Sequence, residues 1–173
     1  MIALDALNRL TPENFTSALT GIFEHSPWIA QRAAARRPFD SRCQLLETLR
    51  TVVQQASVEE QLALIQAHPR LGARGRVRTQ LTASSAQEQQ RAGLDACSEA
   101  QFAQLQLINT SYEQRFGFPF ILAVRGHGPE SIIDQMQRRV GHERAEEIRA
   151  ALHEIGLIAE YRLYDAVSGD TAP

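Results

Sequence analysis

The sequence predicts an all-α fold. Apolar residues recur at helical spacing, helix-start signals such as Thr11-Pro12-Glu13 punctuate the chain, and hairpin signals do not recur. At 173 residues, 43% hydrophobic and 22% charged, the chain has the make-up of a single compact domain with a real core and no need of disulfide or metal staples. About seven or eight helices are expected, with no repeat period and no low-complexity tract.

Thr11, Pro12 and Glu13 open a helix that carries Phe15, Leu19, Ile22 and Phe23 on one face and ends near His25 and Ser26. A short alanine- and arginine-rich helix follows from about Pro27 to Arg36. Asp40 is placed to cap a third, which holds Cys43, Leu45, Leu46, Leu49, Val52 and Val53. Ser57 and Glu60 make a capping box for a fourth through Leu62, Leu64 and Ile65. Pro69 stops that helix and leaves His68 at its mouth.

Residues 70–82 combine glycine punctuation with Arg70, Arg74, Arg76 and Arg78 and little apolar content, which predicts a surface loop. Ser85 and Glu88 fit a capping box that opens a short helix stopping at Gly93. Ser98 with Gln101 opens a long one carrying Phe102, Leu105, Leu107, Ile108, Tyr112 and Phe116, which Gly117 terminates. The run 118–124 is apolar and extended, with Pro119 inside it. A lone strand has no partner here, so it reads as a buried strand-like segment or a lining. Pro129 begins a helix with Ile132, Ile133 and Met136, and a last helix runs from about Glu143 to Val167.

Composition excludes several function classes. The formal charge of -2 and the pI near 6.2 give no reason to expect a nucleic-acid partner. All 18 basic residues are arginine, so no lysine is present to form a Schiff base, hold pyridoxal phosphate or serve a phosphate loop. Cys43 and Cys97 lie far apart with no ligand-spaced histidine and read as reduced, half-buried thiols. His127, His142 and His153 lack zinc-binding spacing, and no metal is expected. Met1 to Leu10 lacks the pattern of a secretion signal, no stretch has the length to span a bilayer, and the end from Gly169 to Pro173 reads as a polar tail rather than a peroxisomal address. The expected address is the cytoplasm.

The candidate chemistry lies in Ala67, His68, Pro69, Arg70, Leu71, Gly72 and, at a distance, Ser85, Ala86, Gln87, Glu88, Gln89. An imidazole directly before a helix-stopping proline and a carboxylate in the first turn of the next helix could together make a proton-transfer pair. Each residue also has a structural reading. A histidine at a helix end meets the last carbonyls and the negative end of the dipole, Ser85 with Glu88 satisfies a capping box, and the apolar run 118–124 fits a core. The loop arginines read as a solvated face, since no glycine pattern of nucleotide loops accompanies them.

Taken in order, these motifs with Leu81 and Thr82, then Asn109, Tyr112, Arg115, Phe116, Gly117, Phe118, Pro119, Phe120 and Ile121, resemble the OHCU decarboxylases of ureide metabolism. Those enzymes act on 2-oxo-4-hydroxy-4-carboxy-5-ureidoimidazoline (OHCU). The resemblance runs from Leu7, Asn8 and Phe15 to Ala159, Glu160, Tyr161, Arg162 and Leu163. It implies an all-helical, cofactor-free and usually dimeric enzyme over residues 1–168, followed by the tail 169–173, that converts OHCU to (S)-allantoin and carbon dioxide. It further implies His68 as the catalytic histidine with Glu88 as its acidic companion. Pro69, Ser85, Ala86, Gln87, Gln89, Phe120, Ile121, Leu122, Ala123 and Val124 match substrate-contacting stretches, the latter two stretches largely through backbone groups. Arg162 matches the arginine expected to hold the substrate. Arg70 departs from the pattern, standing where many members carry an acidic residue.

The chemistry accords with such a site. A carboxylate on the carbon next to an imine leaves as carbon dioxide when its electrons flow to the imine nitrogen, so the substrate carries its own electron sink. The protein has to orient the carboxylate and deliver a proton to one face of the planar product, a task suited to an imidazole with a reference pKa of about 6.5. The amides at the start of the Ser85 helix are candidate donors to substrate oxygens. Two other readings remain at this point: a non-catalytic helical interaction module in which His68 only ends a helix, and an acid–base hydrolase or lyase acting on another small ureido or imidazole compound. Release of carbon dioxide with optically active allantoin separates the decarboxylase from a simple hydrolase.

Overall fold

The computed structural model describes residues 1–72 and 81–169. Arg74, Arg76 and Arg78 of the expected surface loop, and the tail from Asp170, lie outside the described residues. Among the described residues the chain forms nine helices and one pair of two-residue parallel strands. In order these are β1 (Ile2–Ala3), α1 (Leu4–Asn8), α2 (Pro12–Ala18), α3 (Pro27–Ala34), α4 (Arg42–Gln54), α5 (Val58–Gln66), α6 (Ala83–Arg91), α7 (Glu99–Phe116), α8 (Pro129–Arg139), α9 (Arg144–Ala166) and β2 (Val167–Ser168). The all-α expectation holds, and no helix among these residues is long and apolar enough to cross a membrane.

Helix starts follow the local chemistry. Thr11 caps α2 by accepting the Asn14 amide at 3.3 Å, with Pro12 in the first turn. Ser57 and Glu60 form the expected reciprocal pair at the head of α5, 3.2 and 3.1 Å. Ser98 and Gln101 do the same for α7, which ends at Gly117 with a left-handed φ of 80° that glycine adopts without strain. Helix α4 is capped by Ser41, which accepts the Gln44 amide at 3.1 Å, and not by the expected Asp40. The helix expected to reach His25 stops at Ala18; Gly21, with φ 93°, interrupts it, while Leu19, Ile22 and Phe23 stay buried.

The chain divides into two compact units. The first comprises Met1–Leu64 together with the chain from Gly156. Its core holds Leu7, Phe15, Ile29, Leu45, Leu49 and Leu163, and β1 pairs with β2 in the register Ile2 to Val167. Asn8 ties the chain at Phe39, donating to its carbonyl at 2.8 Å and accepting its amide at 2.9 Å. The second unit is Ile65–Ile155. There α7 packs against α8, and Tyr112, Phe116, Phe118 and Phe120 form an aromatic cluster, with Tyr112 edge-on to Phe120 at 5.3 Å between ring centroids. Neither cysteine is in a disulfide; Cys97 is buried, its thiol donating to the Leu94 carbonyl at 3.1 Å, and Cys43 is exposed rather than half-buried.

Candidate functional site

Pro69 lacks an amide hydrogen and disfavours helical backbone in the residue before it. Accordingly α5 ends at Gln66, and His68 closes a turn through its own amide, which donates to the Ile65 carbonyl at 3.2 Å. The His68 side chain is buried and Pro69 half-buried.

The next three residues are held by their main chain. Gln89 of α6 accepts the Gly72 amide at 3.0 Å and donates to the Arg70 carbonyl at 3.2 Å. From α7, Asn109 donates to the Leu71 carbonyl at 3.0 Å and Gln106 to the Gly72 carbonyl at 3.2 Å. Gly72 has φ 71°, a left-handed backbone that favours glycine. The turn that carries His68 is therefore bound on one side by α6 and on the other by α7.

Arg70 turns its charge onto the same helix, with its guanidinium donating to Thr110 Oγ1 at 3.0 Å and the Gln106 carbonyl at 3.2 Å, and lying 3.3 Å from Glu113. The residue that departs from the family pattern thus braces the turn against α7.

Helix α6 starts two residues before the expected Ser85. Its cap is Thr82, whose hydroxyl accepts the Ser85 amide at 3.3 Å while its carbonyl accepts the Ala86 amide at 2.9 Å. Two consequences follow. The amides of Ser85 and Ala86 are engaged within the helix start and are not the donors expected for a substrate. Ser85 and Glu88 are also relieved of the capping role, which had explained them without any chemistry. Ser85 and Gln89 are buried on one face, Glu88 and Ala86 are half-buried, and Gln87 faces solvent.

Residues 119–124 belong to no helix or sheet, and the aliphatic and aromatic side chains from Phe120 to Val124 are buried. With no neighbouring strand among the described residues, side chains satisfy part of the backbone. Arg139 donates to the Ile121 carbonyl at 2.9 Å and lies over the Phe120 ring, 4.5 Å from its centroid. Glu154 accepts the Ala123 amide at 2.9 Å.

Arg139 is itself fixed by Glu147, which is fully buried and takes two-pronged donation from the guanidinium at 3.0–3.2 Å. Glu147 also receives the Tyr112 hydroxyl and meets His142 Nδ1 at 2.7 Å. Burial, and then the adjoining carboxylate, push the Tyr112 hydroxyl far above its ordinary pKa, so it remains a donor.

Arg162 lies in the first unit. It is buried and bound by Glu24 at 3.0 Å and by the Gly21 carbonyl at 2.9 Å. The turn at His68, helix α6 and the segment 120–124 all fall within the second unit, with α7 touching both the turn and Phe120.

Sequence reasoning missed the parts played by Asn109, Gln106, Arg139, Glu147 and Glu154. One signal was present: Glu147 stands at i, i+4, i+8 spacing with the buried Ala151 and Ile155, a carboxylate on the apolar stripe of a helix, and such a carboxylate demands a buried partner.

The family model described as OHCU decarboxylase matches residues 8–164 of the chain. A 2-oxo-4-hydroxy-4-carboxy-5-ureidoimidazoline decarboxylase of Haloferax volcanii is 43% identical over 169 residues, covering 98% of each chain. The uric acid degradation bifunctional protein PucL of Bacillus subtilis is 40% identical over 168 residues, covering 97% of this chain and 33% of that longer protein. Among solved structures, (S)-allantoin synthase superposes with a TM-score of 0.79 at 25% identity, over 96% of this chain and 54% of that one.

Proposed function

We infer the reaction from one premise: the chain belongs to the OHCU decarboxylase family. It decarboxylates OHCU to (S)-allantoin in the degradation of urate, a reading that draws on the relatives' activities. Family membership weighs against the non-catalytic interaction module.

His68 and Glu88 serve as the acid/base pair. The bond from the hydroxyl-bearing carbon to its carboxylate breaks, carbon dioxide leaves, and the electron pair forms a carbon–carbon double bond as the imine electrons move onto nitrogen. The nitrogen takes up a proton, a second proton adds to the ureido-bearing carbon from one face, and the neighbouring hydroxyl gives up its own and becomes the lactam carbonyl, so that one proton is consumed for each carbon dioxide released. His68 assists the loss of carbon dioxide and moves a proton, and Glu88 orients His68 or the substrate hydroxyl. Pro69, residues 85–89 and residues 120–124 form the surroundings of the substrate. Because the imine accepts the electrons, the enzyme is a cofactor-free carbon–carbon lyase. By family likeness it acts as a homodimer in the cytoplasm.

The observation that supports this assignment is the clamp made by Gln89. It ties the main chain directly after His68-Pro69 to the helix that carries Glu88 one residue away. His68→Asn tests it, with circular dichroism following the handedness of allantoin formed from fresh OHCU against a buffer control. The expected result is a rate and handedness indistinguishable from spontaneous decay, a loss of at least about 100-fold. Near-normal production of (S)-allantoin by the folded variant overturns the assignment.

A further inference from the structure

We propose that Glu154 is a positioning residue for the decarboxylation, holding the backbone of residues 121–123 so that a fixed edge of that segment meets the substrate. The proposal rests on the reading that residues 120–124 line the site.

In an extended chain the carbonyl of one residue and the amide two residues later share an edge, and in a parallel sheet a single residue of the neighbouring strand serves both. Here the Ile121 carbonyl and the Ala123 amide are served instead by two side chains, Arg139 of α8 and Glu154 of α9, each at 2.9 Å. Their donor and acceptor together replace one strand residue. The opposite edge, which bears the amide and carbonyl of Leu122, is turned to the substrate.

The two supports differ in character. Arg139 is locked into the buried cluster of Glu147, Tyr112 and His142, so its loss disturbs the core. Glu154 is half-buried. Its bond to Ala123 is a support that can be removed with less disturbance, which makes its contribution separable from folding.

The test uses Glu154→Leu, which removes the acceptor, Glu154→Gln, which keeps an oxygen for the Ala123 amide, and Glu154→Asp, which draws the acceptor back should the leucine variant fail to fold. Amide hydrogen exchange over residues 118–126 reads the segment directly, and steady-state kinetics with circular dichroism read the reaction. Expected for the leucine or aspartate variant are exchange in this segment faster by about tenfold, a fall in kcat of about tenfold or more, and a lower excess of (S)-allantoin, with glutamine restoring all three. Unchanged exchange in the folded leucine or aspartate variant overturns the positioning role. Faster exchange with unchanged kcat and handedness also overturns the proposal, and it does so by refuting the premise that residues 120–124 line the site; loss of activity in His68→Asn would be untouched by that result.

Discussion

Replacing Gln89 by leucine removes the two hydrogen bonds that Gln89 makes to the turn after His68-Pro69 while leaving an apolar side chain of similar bulk in a buried position, so little cavity term is added. The Gly72 amide, itself buried, loses its acceptor. The Arg70 carbonyl, on a half-buried residue, regains water. A stranded buried donor costs about 1–3 kcal/mol and an ordinary exposed-side hydrogen bond about 0.5–1.5, so the variant should lose about 1.5–4.5 kcal/mol. Urea unfolding monitored by far-ultraviolet circular dichroism measures it. On the proposed roles of His68 and Glu88, the same change should lower kcat by about tenfold or more, because the main chain that follows His68-Pro69 is no longer tied by Gln89 to the helix of Glu88. Asn109 holds the adjacent peptide at Leu71, so a double-mutant cycle of Gln89→Leu with Asn109→Leu should show coupling of about 0.5–3 kcal/mol. A stability loss below about 0.5 kcal/mol, within the range of an ordinary surface substitution, would refute the clamp. Lost stability with unchanged kcat would leave the clamp in place but remove its link to the reaction.

Two further outcomes follow from the charged clusters. Tyr112→Phe takes a donor from the buried Glu147 and should destabilise the fold by about 1–3 kcal/mol in chemical denaturation; a variant as stable as the parent contradicts the network. Glu60 has its pKa lowered first by its bond to Arg32 and then by the Ser57 amide. A carboxyl with a lowered folded pKa contributes stability that is complete above its ordinary range and is lost as pH falls from that range through the lowered value. Thermal melts at graded acid pH should show a shallower acid limb for Glu60→Gln than for the parent, and curves of identical shape would refute the pairing.

Much of the helical order was legible because the signals are local. Thr11, the Ser57–Glu60 pair, the Ser98–Gln101 pair, Gly117 and Pro129 each act on amides or dihedrals within a few residues, and each marks a boundary of the structure. The failures arose where two local solutions compete. Thr82 and Ser85 both precede plausible helix starts, and the structure begins the helix at the earlier one. Asp40 and Ser41 are neighbours, and the serine hydroxyl takes the cap. The short α1 and the pairing of Ile2 with Val167 join segments too far apart in sequence for any local pattern to report. For the candidate site, the sequence marked the stretches but not what holds them: Gln89 to Gly72, Asn109 to Leu71 and Glu154 to Ala123 are side-chain bonds to backbone across 17, 38 and 31 residues, and a polar residue's distant partner leaves no periodic trace.

These supports converge on α7. Gln106, Asn109 and Thr110 face the turn after His68, while Tyr112 and Phe116 join the aromatic cluster that leads into Phe120. Residues three and four apart on a helix share a face, so one stretch of about three turns carries the polar contacts to one segment and the aromatic contacts to the other. The capping box at Ser98 and the left-handed Gly117 hold the two ends of this helix against fraying, the second of them directly after Phe116. Arg70 adds to this attachment: its charge is directed to Thr110 and Glu113, which ties the turn to the helix that contacts both segments.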